Sequence, residues 1–203
     1  MHKNYYIQSY CHIKNNQLWL NGEVIFEGKQ NENLKDFLKS AYKNLEIKYP
    51  KFFKMDNLSK ISFLAAEIIF KNITLENKNI AIVFSNKAAS LDTDRKFQDS
   101  ISDVDNFYPS PAVFVYTLPN IGIGEISIRH QLKSENAFFV FENYNANFHQ
   151  NYENALLQNN NSDTVLGAWV NVDSDNYDAF VYLVSGNGTV EHTKENLLKL
   201  YKE

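Results

Sequence analysis

From Tyr5 to Leu20 apolar and polar residues alternate, "YYIQSYCHIKNNQLWL", in a run rich in β-formers. That period of two predicts strand structure opening a sheet. The period then changes. Residues 31–48 place Leu34, Phe37, Leu38, Ala41, Tyr42 and Leu45 three and four apart, the spacing of an amphipathic helix. "MDNLSKISFLAAEIIFKN" follows, with Asp56 as N-cap and a broad apolar face through Leu58, Ile61, Leu64, Ala65, Ile68 and Ile69. It is apolar enough for a central helix. Residues 79–86, "NIAIVFSN", form a short continuous apolar run, the mark of a strand covered on both faces.

"LDTDRKFQDSI" predicts a surface helix, and Pro109, Pro111 and Pro119 forbid a long helix in the segment after it. A helical pattern returns over 121–133 through Ile123, Ile126, Ile128 and Leu132. "AFFVFE" reads as strand, "NFHQNYENALLQ" as helix, "DTVLGAWVNV" as a buried strand, "DAFVYLVSGNGTVEH" as strand and turn, and "KENLLKLYKE" as a terminal helix. Strands alternating with helices in this order imply an α/β sheet with helices on both faces. With 203 residues and no linker or internal repeat, the chain reads as one domain over 1–203.

Composition narrows the function. A net charge of −4 and no Lys/Arg cluster argue against nucleic acid, whose binding requires a basic surface. Cys11 is the only cysteine, which excludes an internal disulfide or a cysteine-rich zinc site. No apolar run approaches membrane-spanning length and the first residues lack a signal-peptide core, so the expectation is a cytoplasmic protein without a membrane span.

The individual motifs are weak. "NIGIGEI" has two glycines of a dinucleotide fingerprint, but Ser127 stands in place of the third, so a tight turn is the better reading. The five histidines, His2, His12, His130, His149 and His192, lie on different elements without the spacing of a metal site. No metal or cofactor is expected. The aspartates of "SLDTDRKFQDSISDVD" lack the glycine and glutamate of a calcium loop and read as a solvated face. Cys11 and His12 are neighbours on a strand and so point to opposite faces, which suits a buried thiol better than a nucleophile.

The order of the pieces is more informative. From about residue 4 to 185, "YYIQSYCHIKN", "DNLSKISFLAAEII", "IAIVFSNKAASLDTDRKFQDSI" and "PSPAVFVYTLPNIGIGEISIRHQLK" run collinearly. Together they resemble the N-terminal half of a beta-ketoacyl synthase of the thiolase superfamily. The resemblance implies an α/β, thiolase-like half: a mixed central sheet of about five strands with helices on both faces. The family's pattern runs from a Gly-Pro pair along a buried strand to a catalytic cysteine at the N-terminus of a buried helix. Amide groups and the helix dipole there stabilise a thiolate. Here Ser134-Glu135 stand at the Gly-Pro position, and nine residues on from Ser134 comes Asn143. A further twenty reach Asp163, just before "TVLGAWVNV", which matches the family's next strand without a gap.

An amide cannot carry an acyl group as a thiolate does. No catalytic residue is therefore expected, with Asn143 as the vacated cysteine position. His149 reads as an ordinary, partly exposed helix residue. The chain looks like the short, cysteine-less, chain-length-factor-like relatives that pair with a full-length ketosynthase in fatty acid, polyketide or aryl polyene biosynthesis. The implied partners are that ketosynthase or a second copy of the chain, and, indirectly, an acyl carrier protein. The implied interface or tunnel wall is Asn136, Ala137, Phe138, Phe139, Val140 and Phe141, with Asn120, Gly122 and Gly124 as a turn beside it. A strand with two apolar faces at a sheet edge needs a cover; an interior position in a monomer is the alternative. Two functional alternatives stand beside the pseudoenzyme: an acyl-thioester acyltransferase or hydrolase using Glu142 and His149, and a homodimeric acyl-binding scaffold.

Overall fold

The computed structural model describes residues 4–74 and 78–203, so His2 lies outside the described residues. Strand β1 (Tyr6–Lys14) turns into β2 (Gln17–Leu20) through Asn15 and Asn16, at φ 52° and 57°. A two-residue turn with two positive φ angles matches the twist of its strands, and Asn tolerates that backbone better than most residues. Asn21 and Gly22 then lead to β3 (Glu23–Glu27). The alternating N-terminal run is thus a meander, and its third strand is an addition that the short, exposed "EVIFE" did not announce.

The other strands are β4 (Ile80–Asn86), β5 (Asn136–Val140), β6 (Thr164–Asp173), β7 (Asn176–Ser185) and β8 (Val190–Glu191). The sheet order is β3-β2-β1-β7-β6-β4-β5, and β8 pairs with β1. β4 runs parallel to both β5 and β6, whereas β7 is antiparallel to β6 and β1. The predicted mixed core of about five strands corresponds to β1, β7, β6, β4 and β5; β2, β3 and β8 extend it at the β1 side.

Seven α-helices lie among the described residues: α1 (Leu34–Asn44), α2 (Asn57–Lys71), α3 (Leu91–Ser102), the short α4 (Pro111–Phe114), α5 (Ile121–His130), α6 (Ala146–Gln158) and α7 (Lys194–Lys202). Asp56 caps α2 as expected, its side chain accepting from the Ser59 amide, and α2 is buried along almost its whole length. It packs on β1, β6 and β7 as well as on α1 and α5, which leaves only Asn57, Lys60, Glu67 and Lys71 partly or fully exposed. Helix α5 stops at Gln131, which adopts the left-handed conformation (φ 59°) of a helix C-terminus. Ile128 is exposed, whereas Ile123, Ile126 and, just beyond the helix, Leu132 are buried as predicted, with Gly122 and Glu125 beside them.

Each sheet face has its own core. Ile80, Ile82 and Phe84 of β4, with Val181 and Leu183 of β7, face α1, α2 and α5. Ala81, Val83, Phe180, Tyr182 and Val184 face α6 and α7. In β1 the parity changes midway: Ile7 belongs to the α6 side, but Cys11 and Ile13 to the α2 side. A β-bulge between Ile7 and Ser9 explains this, because one extra residue reverses every side chain beyond it. Cys11 is consequently a buried core thiol, its ionisation pushed up by burial, and His12 faces the other way. No helix among the described residues is long and apolar enough to cross a membrane.

Candidate functional site

Strand β5 closes one end of the sheet, paired with β4 alone. Its Phe138 packs into the α2-side core and its Phe139, with Phe141 just beyond the strand, into the α6-side core, so both faces are apolar as the sequence implied. The position is an edge and not the interior alternative, and Val140, at 55% exposure, stands uncovered. Asn120, Gly122 and Gly124 form the cap and first turn of α5. There Gly122 packs so closely against α2 that a Cβ on it would meet Ser59 Cα at 3.3 Å. Gly122 thus serves a helix–helix contact, whereas a Cβ on Gly124 would meet open space.

After Phe141, whose amide donates to the Asn86 carbonyl, the chain crosses to α6 through exposed Glu142 and Asn143 and buried Tyr144. Asn145 caps α6 by accepting from the Phe148 amide at 3.0 Å. Asn143 therefore precedes the helix in the connecting loop, at the rim of an open depression of about 400 Å³ lined by residues 141–147 with Lys194 and Leu198. Helix α6 presses one face on the sheet and shows Asn147, Asn151 and Gln158 to solvent, so it is amphipathic where the resemblance implied a buried helix.

Beneath that loop lies a polar chain that the sequence reading missed. His149 and Glu153, four residues apart on the buried face of α6, have no solvent exposure, so His149 is not the partly exposed residue expected. Its Nδ1–H donates to Glu153 Oε1 at 2.8 Å, which leaves Nε2 to accept from the Ser85 hydroxyl at 2.7 Å. The Tyr182 hydroxyl also donates to Glu153 Oε1 (2.9 Å), and Tyr144 donates weakly to Tyr182 (3.4 Å). His192 Nε2 lies 2.9 Å from Glu153 Oε2, an ion-pair distance without hydrogen-bond alignment, while its Nδ1 is 3.0 Å from Asn154 Oδ1. Burial alone would raise the Glu153 carboxyl, but the two imidazoles outweigh it and hold the group below its ordinary value. Burial pushes Tyr144 and Tyr182 well above the usual phenol range.

Ser85, His149 and Glu153 have the order and spacing of a hydrolytic triad. They lack what a triad needs to work. Ser85 is unexposed and sits in β4, laddered on both sides to β5 and β6, so no free amide pair is available to hold an oxyanion. The chain is a closed structural lock between α6 and the sheet. Among the described residues no cluster of three or more His, Cys, Asp or Glu is arranged to hold a metal ion. Glu142 and His149 do not meet: one is exposed in the loop, and both nitrogens of the other are engaged on the sheet side.

No protein-family model and no curated protein matches the sequence. Solved structures do resemble the fold. One is "The ishigamide ketosynthase/chain length factor" (TM-score 0.67, 13% identity, covering 90% of this chain and 62% of that one). Another is a ketosynthase (ApeO) in complex with its chain length factor (ApeC) from Xenorhabdus doucetiae (TM-score 0.59, 12% identity, 98% of this chain and 90% of that one). A third is a beta-ketoacyl synthase from Burkholderia phymatum (TM-score 0.60, 8% identity, 90% and 59%). The chain thus spans about three fifths of the first and third of these and nearly all of the chain matched in the second. The described residues adopt the thiolase-like fold of ketosynthases.

Proposed function

We propose that this chain is a non-catalytic, chain-length-factor-like subunit that pairs with an active beta-ketoacyl synthase acting on carrier-protein thioesters. One observation carries the reading: β5, apolar on both faces, ends the sheet with its outer ladder unpaired and Val140 exposed. Such an edge demands a partner strand. The segment between α3 and α5 adds uncovered apolar surface through Val104, Phe107, Tyr108 and Phe114, with Val104 93% exposed. Asn143, placed at the nucleophile position by counting, supplies no group that can hold an acyl chain. Two of the similar structures are described as a ketosynthase with a chain length factor, and one contains a chain of nearly this length.

The test is coexpression with a ketosynthase encoded beside this chain. Wild type is expected to copurify with it in equal amounts and Val140→Lys to fall away. Persistent monomers, or a homodimer that excludes every ketosynthase, overturn the proposal. The hydrolase alternative loses its support with the separation of Glu142 from His149.

A further inference from the structure

We propose that the C-terminal helix α7 is a strap that protons release, uncovering the α6-side core and the depression beside Asn143. The inference does not depend on the partner proposed above. Helix α7 is short and buries only Leu197 and Leu200, so polar contacts at its two ends decide whether it stays docked. At its start, the His192 amide donates to the Tyr5 carbonyl (2.8 Å) and its ring faces Glu153, while the Lys194 amide donates to Gln150 (3.0 Å). At its end, His12 Nε2 lies 2.9 Å from the Leu200 carbonyl, and Tyr10 donates to Glu203 at 2.8 Å. The Tyr201 ring covers Tyr144 and Phe180, at 4.9 and 5.9 Å between centroids. Lys194 and Leu198 form one wall of the depression.

His12 is the proton-sensitive point. A carbonyl only accepts, so the hydrogen bond to Leu200 places the neutral ring's proton on Nε2. Nδ1 is then a bare, buried nitrogen with no hydrogen-bond partner among the described residues. A second proton must go there, adding an unsatisfied N–H and a charge to an apolar site against Phe180, whose ring is stacked at 4.8 Å. The surroundings offer no rescue. Lys14, on the same strand, is itself cationic; Tyr10 occupies Glu203; Tyr201 occupies Asp178 on β7; and the cross-strand neighbour on β2 is Trp19. Burial first, and Lys14 second, lower His12 from 6.5 to about 4.

The released strap leaves His12 near its ordinary value, so its proton favours release. Docking is at full strength above pH 6.5 and weakens as the pH falls towards 4. Linkage between those two values gives a loss of about 20-fold in the docked-to-released ratio from pH 7 to pH 5. Hydrogen exchange of the full chain, corrected for intrinsic rates, reads this directly. Amides of α7 are expected to lose about 20-fold protection over that interval while those of β6 and β7 keep theirs. His12→Gln, which keeps a donor for Leu200 but does not titrate, should abolish the pH dependence. Unchanged α7 protection in the wild type, a loss shared equally by β7, or an undiminished loss in His12→Gln each overturns the strap. Should His12→Gln not fold, the wild-type comparison of α7 with β7 decides alone.

Discussion

Replacing Gly167 with alanine sets two effects against each other. Glycine weakens a strand by roughly 0.5–1 kcal/mol relative to alanine, so on backbone grounds the substitution should stabilise β6. The surroundings say otherwise. A Cβ at Gly167 would overlap Glu153 Oε1 and sit 2.5 and 2.6 Å from Cε2 and Cζ of Tyr182. Neither neighbour yields cheaply: the carboxylate is held by His149, Tyr182 and His192, and the Tyr182 ring is fully buried. Overpacking costs about 1–3 kcal/mol, and a displaced charged hydrogen bond about 1.5–3 kcal/mol. After subtraction of the strand gain, Gly167→Ala should destabilise the protein by roughly 1.5–5.5 kcal/mol. For a chain of this size that lowers the thermal midpoint by about 3–22 °C, since each kcal/mol moves it about 2–4 °C. Calorimetry and urea unfolding measure it. A midpoint equal to or above wild type would mean that Glu153 is free to move, and the lock between α6 and the sheet would be refuted.

Glu153→Gln should cost roughly 1.5–3 kcal/mol at neutral pH, because a neutral amide replaces the charged acceptor of His149 and Tyr182. The sign with pH follows from the depressed carboxyl: its contribution is full above pH 4.5 and fades as the pH falls through the folded value, so the variant's acid limb should be shallower in urea midpoints between pH 7 and pH 4. Asp56→Ala removes the α2 cap (2.9 Å to the Ser59 amide) together with the acceptor of the Thr93 hydroxyl (2.8 Å). About 2 kcal/mol should be lost, seen as a lower urea midpoint at unchanged slope. Val140→Lys should shift monomer stability by no more than about 0.5 kcal/mol, because the side chain is more than half exposed, which makes any loss of copurification a surface effect.

The order of strands and helices was legible because most elements carry a clean period. The α2 cap was legible because Asp56 directly precedes an apolar run. What failed had physical causes. β3 is short and exposed, so no burial pattern writes it into the sequence. The exposure of Ile128 departs from helical periodicity on a face that the remainder of α5 leaves open. The polar lock was invisible for another reason: Ser85, Glu153 and Tyr182 come from three separate elements and His192 from the link between β8 and α7, and only the fold brings them together. One part of it could have been read. His149 and Glu153 at i and i+4, flanked by Ala146, Leu156 and Leu157, share the apolar face of α6, and a pair on that face must be buried and must bind each other.

The polar lock bears on how an active site is told from a structural hydrogen-bond chain. The inner face of α6 carries a serine–imidazole–carboxylate chain with catalytic distances. Residue identity alone would call it active. Access and oxyanion donors decide otherwise, and both are missing, because the β4 ladder consumes the amides around Ser85. The same hydrogen bonds then have a different consequence. They fix α6 on the sheet without help from its outward face, which is free to be polar. A helix held that firmly from one side keeps the β5–α6 loop in place, and with it the open edge of β5 that the proposed pairing would use.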